Sequence, residues 1–247
     1  MKNKPIFVFA TILYKYFFPI YNVLYSRFKN QQDKQEIEMM RSLIQPGNQI
    51  LDIGANIGFY AKILSKAVGA DGEVHCFEPD NQNFKHLISN TQNLENVVLN
   101  KAAVSDTEGE LTFYTSHRIN VDHRSYQTEK YHSKHKVKAV SIDGYVNGKF
   151  IVDGIKMDIQ GAEYPALCGM RNTLRANPDL FLFMELWPDG LLKSGSSVKE
   201  VFDFFTQEGF KLYHLDNGSK KLITADVLNQ FSTDENEYYN IFASRKH

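Results

Sequence analysis

The sequence predicts an α/β fold in which about seven strands form a mostly parallel sheet with an antiparallel strand at one edge. Short apolar runs alternate along the chain with stretches of helical period, which is typical of parallel strands joined by helices. The last two strand-like runs, at 210–215 and 238–244, lie near each other in sequence. A turn signal follows the first of them, which favours an antiparallel addition to the sheet.

Each strand is predicted from a short apolar or alternating run, and each helix from apolar residues on one face. The predicted strands are 50–53, 73–77, 97–104, 110–115, 136–142, 151–159, 180–186, 210–215 and 238–244. The run at 180–186 is almost continuously apolar, as expected of a central strand that is buried on both faces. The predicted helices begin near residues 31, 59, 84, 161 and 197, and the last of them begins at a capping box.

Composition limits the classes of function. At 247 residues the chain is long enough for one large α/β domain with additions. Its formal net charge of −1 provides no basic field, so no nucleic-acid partner is expected. Cys76 and Cys168 fit no metal or redox spacing, so we predict no metal site and two reduced thiols. Reduced cysteines are compatible with a cytoplasmic location.

Residues 1–30 are rich in Tyr and Phe, with basic residues among them. Lys15 and Pro19 interrupt the apolar runs, which are therefore shorter than the ~20 residues that a spanning helix needs. Two alternatives remain open: short helices packed on the domain as a lid or homodimer contact, or a peripheral helix at a membrane surface. The chain is therefore divided into a helical extension, residues 1–34, and a domain, residues 35–247.

The stretch at 49–60 turns from an apolar strand through glycines into a helix. Such a turn needs residues that tolerate unusual backbone angles and leave room for a ligand against the backbone. In open α/β sheets, ligands bind at this place, beyond the carboxyl ends of the strands. The loop positions that we assign to a cofactor are Asp52, Gly54, Ala55, Asn56 and Gly58.

The loop favours a cationic ligand over a dinucleotide. A G-x-G-x-x-G fingerprint would have its second glycine where this chain has Asn56. A buried carboxylate at Asp52 suits the ammonium of S-adenosylmethionine better than a pyrophosphate, although Asp52 alone could be a turn-forming acid. After the next strand, Glu78 is placed to accept hydrogen bonds from ribose hydroxyls, with Pro79 beside it.

A second pair of acids follows two later strands. Asp158 and Glu185 come at adjacent strand ends and together form a plausible acceptor site. Glu185 could equally be a structural partner of Lys156 or of a backbone amide. The segment 116–135 has no clear period and holds four of the eight histidines, which is typical of a functional or mobile segment or of a solvated loop.

Four motifs together resemble the FkbM family of S-adenosylmethionine-dependent methyltransferases. They are LDIGANIG at 51–58, FEP at 77–79, AVSD at 103–106 and KMDIQGAE at 156–163. The resemblance covers roughly residues 35–245 and implies a Rossmann-like class I methyltransferase fold that methylates hydroxyls, often on sugars or polyketide-type products. The family usually has an acid at the position of Gln160. The neutral Gln160 side chain does not supply the negative charge that a role such as holding a metal would need.

The resemblance assigns roles to the motif residues. The loop residues would hold the methionine part of S-adenosylmethionine, Glu78 would hold the ribose, and Ala103 and Ser105 would border the adenine. The acceptor would be a small molecule or a glycan. Because an alcohol must lose its proton as it is methylated, a positioned base is needed, and the candidates are Asp158, His117 and His123.

Two other classes of function remain as alternatives. The first is a nicotinamide-dependent oxidoreductase, against which the absent second glycine argues. The second is a non-catalytic binding or scaffold protein that retains the fold. Cofactor binding without turnover across acceptor classes would favour this second alternative.

Overall fold

The computed structural model describes residues 4–116, 131–216 and 219–246. The strands are β1 (Gln49–Ile53), β2 (Glu73–Phe77), β3 (Val97–Asn100), β4 (Ala103–Val104), β5 (Gly109–Ser116), β6 (Tyr131–Val140), β7 (Gly154–Met157), β8 (Phe181–Leu186), β9 (Lys211–Asp216), β10 (Ser219–Leu222) and β11 (Tyr239–Ser244). The helices are α1 (Lys4–Tyr16), α2 (Phe18–Gln32), α3 (Lys34–Leu43), α4 (Phe59–Val68), α5 (Asn81–Thr91), α6 (Ile142–Val146), α7 (Glu163–Cys168), α8 (Arg171–Ala176), α9 (Pro188–Lys193) and α10 (Val198–Gln207). A 3-10 turn covers Ala225–Gln230.

Eight strands of the described chain form the central sheet, in the order β10-β9-β11-β8-β7-β1-β2-β3. The five strands from β8 to β3 run parallel, so the prediction of a mostly parallel α/β sheet is confirmed. The antiparallel β11 lies inside the sheet, between β8 and β9. It is covered on both faces, because Ile241 and Phe242 enter different apolar clusters. At this end of the sheet the edge strand is β10, a polar segment that pairs antiparallel with β9, and β3 is the edge strand at the other end.

A second sheet of three strands, in the order β4-β6-β5, lies beside the first. The predicted strand 97–104 is divided between the two sheets: β3 pairs with β2, and β4 pairs with β6. The chain turns between them, where the Ala102 amide donates to the carbonyl oxygen of Asn100 at 3.0 Å. His117 and His123 lie outside the described residues.

The predicted helix 161–175 is two helices, α7 and α8, with Gly169 between them. A Cβ atom on Gly169 would lie 2.0 Å from the carbonyl oxygen of Ser105. The backbone of this segment therefore packs directly on the chain that follows β4, and this close approach coincides with the break between the two helices.

The helical extension predicted at the N-terminus is present as α1 and α2. Leu13 and Tyr21 are buried against Ile57 of the loop after β1. The Tyr14 hydroxyl donates to Oδ1 of Asn83 on α5 at 2.8 Å. These contacts place the helix pair over the loop that the sequence assigns to the cofactor. Within the described chain, no helix combines the length and apolar content needed to cross a bilayer.

Candidate active site

The loop after β1 is held in an unusual backbone conformation. Gly54, Asn56 and Gly58 all have positive φ, at 81°, 51° and 86°. The amides of Gly54 and Ala55 both donate to the carbonyl oxygen of Phe77, each at 3.0 Å, which ties the loop to the end of β2. A Cβ atom on Gly54 would lie 2.0 Å from the backbone oxygen of Asp158, so the loop also packs directly on the end of β7.

Asp52 is a buried acid near the end of β1, the strand that precedes the loop. Its side chain is fully buried, and neither Oδ1 nor Oδ2 has a hydrogen-bond partner among the described residues. Burial raises the pKa of Asp52 to about 6, although Lys156 on the neighbouring strand opposes the rise. Unsatisfied buried oxygens are costly, so this carboxylate fits a ligand that brings a cationic donor, such as the ammonium of S-adenosylmethionine.

Glu78 joins the loop to the end of the second strand. Its Oε2 accepts from the Asn56 amide at 2.9 Å, and its Oε1 accepts from the Asp80 amide at 2.8 Å. Burial raises the pKa of Glu78 to about 8, in spite of these two donors. Pro79, between Glu78 and Asp80, is half-buried. Each carboxyl oxygen accepts from only one backbone amide among these contacts and retains a further hydrogen-bonding position, so Glu78 fits the predicted role of binding ribose hydroxyls.

Asp158 and Glu185 are joined by one amide. The Nε2 group of Gln160 donates to Oδ1 of Asp158 at 3.0 Å and to Oε2 of Glu185 at 3.2 Å. Gln160 has a positive φ of 54°, which turns the chain directly after the segment that carries Asp158. An acid at this position would add a third carboxylate to the pair, whereas the amide donates to both of them. Within the described chain, no cluster of side chains suited to a metal ion is present.

The two acids have pKa values that move apart. Burial raises the pKa of Asp158, but Lys156 and Lys29 outweigh this effect and hold the pKa below its ordinary value. The Lys156 ammonium lies 3.6 Å from Oδ2 of Asp158. Burial, followed by the charge of Asp158, raises the pKa of Glu185 to about 8. These opposite shifts favour an ionised Asp158 and a protonated Glu185.

Lys29 of α2 is a site residue that sequence reasoning missed. Its ammonium lies 2.5 Å from Oδ2 of Asp33, which also accepts from the Tyr60 hydroxyl at 2.8 Å. The charge of Lys29 acts on both Asp158 and Glu185. The i,i+4 spacing of Lys29 and Asp33 predicts an ion pair between them. It does not predict a position at the site, because on most helices such a pair lies on the solvent side.

Glu163, at the end of the KMDIQGAE stretch, has a structural role. It is fully buried, and its Oε1 accepts from the Gly161 amide at 3.0 Å. The carbonyl oxygen of Gly161 accepts from the Ser194 hydroxyl at 2.6 Å. A Cβ atom on Gly161 would lie 2.6 Å from the carbonyl of Gly190. The acid therefore fixes the loop that carries Asp158 and Gln160 against α9.

Ala103 and Ser105 lie in and after β4 of the second sheet. Ala103 is buried with Phe113 and Val137. The Ser105 amide donates to the carbonyl oxygen of Val140 at 3.0 Å. Among the described contacts, neither residue is hydrogen-bonded to the loop or to Glu78, so their assignment to the adenine stays a prediction.

The charges at the strand ends suit a cationic cofactor. The described cluster contains five carboxyl groups and two ammonium groups: Asp33, Glu36, Asp52, Asp158 and Glu185 against Lys29 and Lys156. S-adenosylmethionine carries a sulfonium and an ammonium besides its carboxylate, and acids of this cluster whose ionised form is favoured, such as Asp158, attract the cationic groups.

Comparison with known proteins identifies the family of this chain. The family model described as "Methyltransferase FkbM domain" matches residues 52–212. The chain belongs to the FkbM methyltransferase family. The matched range begins at Asp52 and includes Glu78, Asp158 and Glu185. The protein is thus an S-adenosylmethionine-dependent methyltransferase, and the resemblance drawn from its motifs is confirmed.

Individual relatives have low sequence identity to this chain. The protein is 26% identical over 183 residues to "2-O-methyltransferase NoeI" of Sinorhizobium fredii (strain NBRC 101917 / NGR234). The alignment covers 67% of this chain and 74% of the relative. A candidate methyltransferase from Streptococcus mutans, solved with SAH, matches with a TM-score of 0.50 and 11% identity, covering 85% of this chain and 95% of that one. A candidate O-methyltransferase from Klebsiella pneumoniae matches with a TM-score of 0.50 and 14% identity, covering 86% and 78%. These two structures show the Rossmann-like fold alone.

Asp52→Asn is expected to weaken the binding of S-adenosylhomocysteine by ~1–3 kcal/mol, because the ammonium loses a buried charged acceptor. The raised pKa means that wild-type affinity falls as the pH drops through about 6, where Asp52 takes up a proton. Titration calorimetry between pH 5 and 8 measures both effects, and the Asn variant should lose this pH dependence. Asp71→Asn, at an exposed acid, is the matched control.

The same substitution has the opposite effect on the ligand-free protein. An acid whose pKa is raised by folding stabilises the fold at low pH and loses that contribution as the pH rises through its folded pKa. At pH 7 the ionised Asp52 therefore lowers the free energy of unfolding. Urea unfolding of Asp52→Asn at pH 7 should give a free energy equal to or above that of the wild type. A marked loss of stability would mean that Asp52 has a structural role.

Proposed function

We propose that this protein transfers the methyl group of S-adenosylmethionine to a hydroxyl oxygen on a sugar, glycan or natural product. The observation that carries this proposal is the position of the Asp158 carboxylate, which follows β7 beside the cofactor loop with the Lys156 ammonium 3.6 Å from its Oδ2. Lys156 and Lys29 hold the pKa of Asp158 below its ordinary value, which favours the ionised form. The backbone of Asp158 packs on Gly54, so the position of the acid relative to the loop is fixed.

When bound, S-adenosylmethionine supplies an electrophilic methyl carbon on a sulfonium, which is a good leaving group. The protein has to align a hydroxyl with that carbon and accept its proton. The Asp158 side chain is 26% exposed and can accept from such a hydroxyl. The oxygen becomes strongly acidic as the carbon–oxygen bond forms, so a carboxylate of low pKa can take the proton. The balanced reaction gives R–O–CH₃, S-adenosylhomocysteine and H⁺ from R–OH and S-adenosylmethionine.

The second acid favours an acceptor with more than one hydroxyl. The raised pKa of Glu185 favours its protonated form, which can donate a hydrogen bond, while the Asp158 carboxylate can accept one. A donor and an acceptor that are joined through Gln160 suit two neighbouring oxygens of a sugar or a polyhydroxylated product. The relative NoeI is described as a 2-O-methyltransferase, which supports oxygen as the methylated atom.

The test is an acceptor screen with S-adenosylmethionine labelled in its methyl group. Glycans, hydroxylated natural products and amines are compared by the release of S-adenosylhomocysteine, and NMR locates the label in each product. The proposal expects the label on a hydroxyl oxygen. A label found on nitrogen or carbon alone would contradict it. Binding of S-adenosylhomocysteine with no turnover across all classes would support a non-catalytic binding protein.

A further inference from the structure

Helices α1 and α2 expose an unusual number of large apolar side chains. Nine of them are 45–66% exposed: Val8, Phe9, Ile12, Tyr16, Phe17, Ile20, Val23, Leu24 and Phe28. Large apolar side chains scattered singly on a surface are ordinary, but a concentration of them within two consecutive helices marks an interaction surface.

The spacing on α2 divides it into two faces. Ile20, Val23, Leu24 and Phe28 recur at helical spacing and are exposed, whereas Tyr21 is buried against the loop. The inner face also carries polar contacts, because the Asn22 side-chain amide donates to Oδ1 of Asn90 at 2.9 Å. α2 therefore carries aromatic side chains toward its own domain and an exposed apolar face on the other side, whereas an ordinary surface helix has a polar outer face.

The charge of this part of the chain is entirely positive. Residues 1–32 contain five Lys or Arg and no Asp or Glu. The remaining residues contain 23 Lys or Arg against 29 Asp or Glu. Lys15 and Arg27 are exposed among the apolar side chains, and α2 has no acid in its first turn. Basic side chains next to exposed apolar ones are typical of helices that lie in the interface of anionic membranes.

We propose that the outer faces of α1 and α2 bind the surface of an anionic lipid bilayer. Charge complementarity favours a bilayer over a second copy of the chain, because a two-fold contact would bring two positive surfaces together. The described helices are too short and too polar to span, so the contact is peripheral. This inference does not depend on which acceptor is methylated.

Lipid binding and the active site share one helix. Lys29 on α2 acts on the charges of Asp158 and Glu185, while Val23 and Phe28 lie on the exposed face of the same helix. A bilayer bound to α2 therefore lies on the opposite side of that helix from the acids.

The test is flotation of the full-length protein with vesicles of phosphatidylcholine, with and without phosphatidylglycerol, at low and high salt. The double variant Val23→Ser/Phe28→Ser removes exposed apolar area, and Lys15→Glu/Arg27→Glu reverses exposed charge. Ile151→Ser/Leu222→Ser is the matched control, because both residues are exposed apolar side chains outside the helix pair. Calorimetry with S-adenosylhomocysteine checks that each variant is folded.

We expect wild type and control to float with anionic vesicles and the Val23/Phe28 variant to bind at least ~10-fold more weakly. The charge-reversal variant should lose the preference for phosphatidylglycerol, and high salt should weaken wild-type binding. Equal binding by all variants, or no binding by the wild type, overturns the proposal. A dimer in sedimentation that only the Val23/Phe28 variant disrupts, without vesicle binding, would assign the surface to a second copy instead.

Discussion

Asp158→Asn is expected to lower turnover by ~100- to 10,000-fold, the usual contribution of a positioned base, with little change in affinity for S-adenosylhomocysteine. The substitution keeps the shape of the side chain and removes the charge that accepts the proton. Because Lys156 loses its ionised neighbour at 3.6 Å, unfolding in urea must be measured beside the kinetics. The measurement is the single-turnover rate of methyl transfer to an identified acceptor, monitored through the formation of S-adenosylhomocysteine.

Two controls separate charge from position. Glu185→Gln keeps the shape of the protonated acid, the form that the raised pKa of Glu185 favours, so its turnover at pH 7 should stay within ~10-fold of the wild type. Asp203→Asn, at an exposed acid paired with Lys199 on α10, should have no effect. If Asp158→Asn retains near-normal turnover while His117→Ala or His123→Ala is inactive, the histidine is the base and Asp158 is structural.

Gly54→Ala is expected to lower the free energy of unfolding by ~2–5 kcal/mol and to abolish cofactor binding. The positive φ of 81° costs a non-glycine residue ~1–2 kcal/mol. The added Cβ would overlap the backbone oxygen of Asp158 at 2.0 Å, and such overpacking typically costs a further ~1–3 kcal/mol. Because the overlapped atom is backbone, relief requires the loop or the end of β7 to shift.

The control for this substitution is Gly47→Ala. Gly47 also has a positive φ, 89°, but nothing lies within 4 Å of the Cβ position. It should therefore show the conformational cost of ~1–2 kcal/mol alone and bind S-adenosylhomocysteine normally. Urea unfolding and calorimetry on both variants make the comparison. An equal loss of unfolding free energy in the Gly54→Ala and Gly47→Ala variants would contradict this prediction. It would show that the loop shifts at little cost and that its contact with Asp158 contributes little to stability.

Much of the candidate site could be predicted because a parallel sheet places all its strand ends on one edge. Asp52, Glu78, Asp158 and Glu185 each lie in or directly after the last residues of an apolar run, so their convergence follows from the order of the strands. The glycine spacing and Asn56 then indicated the kind of ligand. These predictions needed only local patterns and one rule of topology.

Other features depend on contacts that local patterns do not contain. The run at 97–104 is continuous in sequence, and its division arises because Ala103 and Val104 pair with β6 in another sheet. The position of Lys29 beside the acids depends on which face of α2 contacts the domain. An aromatic helix with apolar residues on both sides does not reveal that face. The bridging role of Gln160 similarly requires the positions of two strands.

The close approach of Gly54 to Asp158 also affects biosynthesis. Asp52 and Lys156 are register partners on β1 and β7, although one is made long before the other. Since this pairing joins segments that are distant in sequence, the contact between the loop and Asp158 cannot form until β7 has left the ribosome. Until then β1 can pair with β2 but lacks its other neighbour, so the nascent chain exposes one edge of an apolar strand.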